Sequence, residues 1–227
     1  MAAMTCMYSS ATPASSTCRR ETSTEEEVEE LAYQEEGRCK SRLASRRRRH
    51  GQPGEGGAAA PGEAVEEEMW EGMVMRELDG VGVEEAWEMV GRFGQLKRWN
   101  PNAEVCEVEE GEEDKPGCVR FLAGSVKAAD GSPERWVREK LLAMYPKQRC
   151  FTYCILDSSY GFQGYTARLS ILPGAQKARA ALAHWTFELH PVACTPAPQL
   201  LSFLTSIFDN MMASLERTII NNDTSCS

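Results

Sequence analysis

The sequence lacks several features that define common classes of protein. No apolar run approaches the roughly 20 residues that cross a bilayer, since Ser202, Thr205 and Asp209 interrupt even the C-terminal apolar stripe. No glycine-rich loop has the spacing that cradles a phosphate, and the nine cysteines include no CxxC pair. We therefore expect no membrane span and no nucleotide chemistry, and free thiols in a reducing compartment.

Histidine is scarce as well. Of the three, His50 precedes the apolar part of the chain, His184 lies opposite an apolar strand face, and His190 precedes a proline. None is placed as a general base, and Cys150 and Cys154 have no histidine companions. The pattern argues against a hydrolase triad and predicts neither a metal nor another cofactor.

The charge balance is acidic. The chain has 34 Asp and Glu against 25 Lys and Arg, a net charge of −9. Such a surface repels a phosphate backbone, so we expect no nucleic-acid partner.

Residues 1–66 contain too little apolar sequence for a core, and we predict a disordered tail and linker. Residues 1–20 resemble a transit peptide in lacking acidic residues, and the four arginines at 46–49 could act in nuclear import. The expected location is the cytoplasm, with plastid and nucleus as alternatives.

Residues 67–222 show the periodicity of one folded domain. A strand at 69–78 precedes two short helical segments at 83–93 and 96–99. Short alternating runs then predict an antiparallel meander. These runs cover residues 103–109, 118–123, 135–144, 150–157, 164–172 and 182–190.

A long amphipathic helix is predicted over residues 198–220, followed by a disordered end at 223–227. Its broad apolar stripe needs a concave partner. The order of elements predicts an α+β helix-grip fold, in which a curved antiparallel sheet of about seven strands wraps this helix. A cavity between them would enclose a small apolar or amphipathic ligand.

Strand alternation places Glu139 on the apolar face with Val137, Leu141 and Ala143. A carboxylate there needs a partner, and buried ionisable groups concentrate at functional sites, although a purely structural ion pair is the alternative. Arg120 is the candidate partner if it points inward. Tyr165 shares its face with Ala167 and should bring its hydroxyl inside.

The ligand would contact apolar side chains of the strands and of the last helix. The candidates are Trp99, Phe121, Val137, Leu141, Phe162, Trp185, Phe187, Leu204, Phe208 and Met211.

Several motifs together resemble plant proteins similar to lachrymatory-factor synthase, within the Bet v 1 and START-like (SRPBCC) superfamily. The resemblance covers residues 69–220. The motifs are Trp70-Glu71-Gly72, Trp99-Asn100-Pro101, Gly117-Cys118-Val119-Arg120, Trp136-Val137-Arg138-Glu139-Lys140-Leu141, and Gly161-Phe162 with Tyr165.

The resemblance implies a cofactor-free isomerase that converts an alkenyl sulfenic acid to a thial S-oxide. By motif, Glu139 would move a proton while Arg120 and Tyr165 orient the sulfenic oxygen. The alternative is a non-catalytic carrier or receptor related to the abscisic-acid receptors, whose Ser-Gly-Leu-Pro-Ala gate and His-Arg-Leu latch are replaced here by residues 122–125 and 160–162. Whether the chain is an enzyme stays open at this point.

Overall fold

A computed structural model describes residues 28–36, 39–49, 66–100, 102–174 and 179–225. Within these ranges, nine antiparallel strands form one sheet in the order β1-β2-β3-β9-β8-β7-β6-β5-β4. The strands are β1 (Val28–Glu36), β2 (Cys39–Arg49), β3 (Glu66–Asp79), β4 (Val105–Glu110), β5 (Val119–Ala123), β6 (Trp136–Tyr145), β7 (Cys150–Ser158), β8 (Thr166–Pro173) and β9 (Ala180–Leu189).

Helix α1 (Val83–Val90) and the 3₁₀ helix Phe93–Arg98 follow β3, a further 3₁₀ turn Pro146–Gln148 joins β6 to β7, and the long helix α2 (Ala197–Ser225) closes the chain. The predicted order of a strand, two short helices, six strands and a long helix is thus confirmed from β3 onward. The sheet curves around α2, which is the helix-grip fold.

The sheet is wider than predicted, because β1 and β2 come from the segment that we expected to be a disordered tail. Cys39 and Leu43 on alternate positions of β2 are buried, which gives this strand an apolar face too short to stand out in the sequence. Near its basic end, the backbone register sets Arg47 opposite Glu68. Opposite charges at facing positions stabilise antiparallel pairs.

Helix α2 is also longer than predicted, at 29 residues. It starts at Ala197 and continues to Ser225, three residues into the expected disordered end. Asn221-Asn222 predicted its end, since asparagine often follows the last helical residue, but no glycine or proline follows Pro198, and the helix continues through both asparagines.

The core lies between the concave face of the sheet and α2. Strand β9 alternates as the sequence predicts, with Ala181, Ala183, Trp185 and Phe187 all buried. Gly72 on β3 permits this packing, because a Cβ atom there would lie 2.3 Å from the Phe187 ring. The absence of a side chain at residue 72 therefore makes room for an aromatic side chain on the neighbouring strand.

Strand β6 departs from simple alternation. A bulge between Leu141 and Ala143 shifts the register with β7. Ala143, which we expected on the apolar face, consequently leaves it, and Met144 packs against the core instead.

Among the described residues, no helix has the length and apolar character needed to cross a membrane.

Candidate functional site

A cavity of about 680 Å³ lies between the sheet and the N-terminal half of α2. Strands β5 to β9, the 3₁₀ helix Phe93–Arg98 and the residues that follow this helix complete its wall. Such a volume falls within the range of small-molecule sites in proteins, about 300–1,000 Å³. The apolar stripe of α2 is thus not fully covered by side chains.

Arg120 and Glu139 form an ion pair in the wall of this cavity. They are directly opposite each other on β5 and β6, and both point inward. Oε2 of Glu139 lies 2.7 Å from Nε and 2.6 Å from Nη2 of Arg120, and the two residues are only 4% and 6% exposed. The guanidinium group compensates the charge of a carboxylate that burial would otherwise destabilise.

Arg120 is held in place from a second direction. Its Nη1 donates to the backbone oxygen of Phe93, and its guanidinium carbon lies 3.8 Å from the centre of the Phe93 ring. All three guanidinium nitrogens therefore already have an acceptor. This arrangement makes Arg120 a residue that positions Glu139.

The second carboxylate oxygen of Glu139 is in a different situation. Both contacts with Arg120 use Oε2, and no hydrogen bond among the described residues engages Oε1. Since Glu139 lines the cavity, Oε1 is the oxygen available to a hydrogen-bond donor on a bound molecule.

Two tyrosines lie near this carboxylate. Tyr165 on the chain just before β8 is 2% exposed, and Tyr153 on β7 accepts a hydrogen bond of 3.1 Å from Nε1 of Trp185. Burial raises the pKa of both hydroxyls, and the negative charge of Glu139 raises each further. Both tyrosines stay neutral at physiological pH, as groups that can donate hydrogen bonds.

The mouth of the cavity is aromatic. The Tyr160 ring stacks on Phe162 at 5.4 Å and meets Phe203 of α2 at 5.5 Å. Phe162 in turn stacks on Tyr165 at 5.6 Å. These rings form a continuous apolar path from the surface to the buried tyrosines.

Most of the predicted site residues meet in this cavity. Arg120, Glu139 and Tyr165 all line it, as do seven of the ten predicted apolar contacts. The seven are Trp99, Val137, Phe162, Trp185, Leu204, Phe208 and Met211. Their roles in binding or catalysis remain predictions.

Three predicted contacts lie elsewhere. Phe121 alternates with the inward Arg120, so its ring is on the outer face and stacks on Trp136. Leu141 lies two residues beyond Glu139 and is fully buried in the core past the end of the cavity. Phe187 is buried behind Tyr165, with the two rings nearly parallel and 6.3 Å apart.

Tyr153 is one cavity residue that sequence reasoning missed, and Arg135 is another. Cys150 and Cys154 belong to one face of β7, and Phe151, Tyr153 and Ile155 on the alternate face line the cavity. The alternation of these three large side chains was the available signal. Among the described residues, no group of three or more His, Cys, Asp or Glu side chains could hold a metal ion.

This arrangement, a curved sheet enclosing a cavity beneath a long helix, agrees with the sequence comparison. Residues 69–219 match the profile of the polyketide cyclase / dehydrase and lipid transport family. The match spans well over half of the chain, and the chain belongs to this family.

Solved structures similar to this chain share the fold. The protein XoxI of Bacillus cereus superposes with a TM-score of 0.55 at 21% identity, covering 67% of this chain and 97% of that one. A Bacillus thuringiensis protein gives 0.53 at 21% identity, covering 66% and 98%. A protein of Nitrosospira multiformis gives 0.50 at 18% identity, covering 65% and 95%.

Proposed function

We propose that the chain binds a small apolar or amphipathic metabolite in this cavity, and that Glu139 accepts a hydrogen bond or a proton from it. The observation that carries the proposal is that the two carboxylate oxygens of Glu139 have different surroundings. One oxygen is fixed by Arg120 at 2.7 Å, while the other is left to the cavity. A carboxylate held rigidly with one free oxygen is well placed to receive a proton.

The reaction that we propose is a cofactor-free isomerisation of the kind implied by the resemblance to lachrymatory-factor synthase. Glu139 would remove the O–H proton of an alkenyl sulfenic acid and return it to an alkene carbon, while the double bond moves to sulfur. No electron acceptor is needed, because the product is an isomer of the substrate. The Tyr153 and Tyr165 hydroxyls, both buried near Glu139, would hold the sulfenic oxygen.

The first experiment is a comparison of Glu139→Gln with the wild-type chain. The matched control is Glu109→Gln, since Glu109 also pairs with an arginine, Arg138, at 2.7 Å, but on the exposed face of the sheet. All three proteins would be mixed with freshly generated alkenyl sulfenic acid, and thial S-oxide would be measured by mass spectrometry.

We expect product above the enzyme-free rate with wild type and Glu109→Gln, and a fall of about 100-fold or more with Glu139→Gln, the range of a general acid–base group. Equal product from Glu139→Gln and wild type would contradict the catalytic role. If none of the three proteins forms product above the enzyme-free rate, the proposed sulfenic acid reaction is wrong.

Carriage without chemistry is the second candidate, and the size of the cavity supports it. About 680 Å³ holds a molecule considerably larger than a short alkenyl sulfenic acid. Native mass spectrometry of the chain purified from its own tissue would detect such a ligand. A bound mass that survives in Glu139→Gln, together with no turnover in wild type, would establish carriage in place of catalysis.

A further inference from the structure

The charges that line the cavity are few. Of its lining residues in the described part of the chain, only Arg120, Glu139 and Arg135 carry a formal charge. Arg120 and Glu139 compensate each other at 2.6 Å, so the ion pair contributes no net charge. Arg135 is left as one uncompensated positive charge, in a chain whose net charge is −9.

Arg135 lies at the mouth. It is exposed, and within the described residues its guanidinium group has neither a carboxylate partner nor a hydrogen bond. Burial raises the pKa of the Tyr160 hydroxyl, and the positive charge of Arg135 partly offsets this rise. The cation therefore lies beside the aromatic rings through which a ligand would enter.

The backbone fixes the spacing between Arg135 and the buried carboxylate. Gly124 N donates to Arg135 O at 3.0 Å, which extends the β5–β6 ladder to residue 135. Arg135, Val137 and Glu139 consequently share one face, and all three line the cavity. Four residues at about 3.3 Å each separate the α-carbons of Arg135 and Glu139 by about 13 Å.

We infer that the ligand is an amphipathic anion, with its acidic group at Arg135 and a hydroxyl or similar donor at Oε1 of Glu139, and with an apolar body between them. This inference rests on the proposed ligand-binding function and adds the charge and length of the ligand. A carboxylate, a sulfate and a phosphate share the chemistry that Arg135 recognises.

The apolar part of the lining supports the same pattern. Val137 on β6 lies between Arg135 and Glu139, and Leu204, Phe208 and Met211 on α2 also belong to the cavity wall. A polar group placed against these apolar side chains would lose its water and find no hydrogen-bond partner among them. A chain or ring system with polar groups at its two ends avoids this loss.

The test uses a series of saturated probes of equal length: ω-hydroxydodecanoate, dodecanoate and dodecanol. Affinity for the full chain would be measured by calorimetry in low and high salt. Wild type would be compared with Arg135→Gln and with Arg138→Gln, a control on the same segment whose side chain pairs with Glu109 outside the cavity.

We expect ω-hydroxydodecanoate to bind tightest and dodecanoate to bind about fivefold more tightly than dodecanol, the upper end of what an exposed ion pair contributes. Arg135→Gln should remove this advantage of the acid over the alcohol and the salt dependence, whereas Arg138→Gln should keep both. Replacing dodecanoate by a dodecyl phosphate or dodecyl sulfate should preserve the Arg135 effect, because the recognised group is the anion.

Two results would overturn the inference. If dodecanol and dodecanoate bind equally to wild type, and Arg135→Gln changes neither, the anion site is wrong while the apolar cavity function stands. If none of the probes binds, both the inference and the proposed function fail.

Discussion

The two halves of helix α2 meet the same sheet in different ways. The N-terminal half presents Leu204, Phe208 and Met211 to a cavity of about 680 Å³. The C-terminal half presents Met212, Leu215 and Ile219 to tightly packed core, each at most 5% exposed. One amphipathic stripe thus faces a cavity along half its length and solid packing along the rest.

Beside each half of the helix, a buried arginine of the sheet forms an ion pair. In the cavity half, Arg120 and Glu139 belong to neighbouring strands. In the packed half, Arg76 of β3 bonds Glu216 of α2 and also reaches Asp209 near the middle of the helix, and Glu216 accepts a further bond of 2.8 Å from Asp79 N. The second cluster ties the helix to the sheet, whereas the first leaves one carboxylate oxygen of Glu139 open to the cavity. Burial of an ion pair alone therefore does not identify a functional site.

Removing the arginine of the packed half should have the largest effect on stability. Arg76→Met leaves Asp209 and the 9% exposed Glu216 without their cation. We expect the free energy of unfolding to fall by about 3–5 kcal/mol, the range for a broken buried pair. Denaturant unfolding followed by circular dichroism would measure it.

Arg138→Met is the control for this change, because its partner Glu109 is one-third exposed and the loss should stay below about 1 kcal/mol. Equal losses in the two variants would show that the Arg76 cluster does not anchor α2.

The same truncation on each half of α2 tests the packing difference directly. Leu215 is 0% exposed and surrounded by core, so Leu215→Ala should cost toward the upper end of about 2–5 kcal/mol. Leu204 already borders empty space and has fewer contacts to lose, so Leu204→Ala should cost about 2 kcal/mol or less. Unfolding in urea would give both values. An equal loss at the two positions would mean that the cavity is filled by collapse in solution.

Much of this architecture could be predicted from the sequence, because local patterns carry it. The alternation of apolar residues in β9 and the apolar face of helix α2 are each visible within one continuous segment of sequence. Glu139 was found in the same way, as a carboxylate among apolar neighbours on one strand face. The family fold therefore follows from patterns that need no knowledge of distant partners.

The features that could not be predicted depend on partners distant in sequence. Strand β2 resembles a polar tail until Glu68 is placed opposite Arg47. The bulge after Leu141 reflects the pairing of β6 with β7. Arg120 donates a hydrogen bond to the backbone oxygen of Phe93, which lies 27 residues away in the sequence. No pattern of side chains predicts this bond.

The smallest expected effect is an alkaline loss of stability that belongs to the cavity half. Burial raises the pKa of the Tyr153 and Tyr165 hydroxyls, so the folded chain keeps protons that the unfolded chain loses near the ordinary value of about 10. Stability must then fall as the pH rises above that value. At about pH 11, the ionisation of each tyrosine in the unfolded chain would lower the free energy of unfolding by about 1.4 kcal/mol.

Urea unfolding from pH 8 to pH 11, about the range over which tyrosine titrates, measures this loss. Tyr153→Phe and Tyr165→Phe should each flatten the alkaline decline, because a phenylalanine has no proton to lose. Leu215→Ala, in the packed half, should lower stability by the same amount at every pH. If the tyrosine variants decline as steeply as wild type, the hydroxyls ionise freely inside the folded chain, and the cavity around Glu139 admits far more water than its apolar lining indicates.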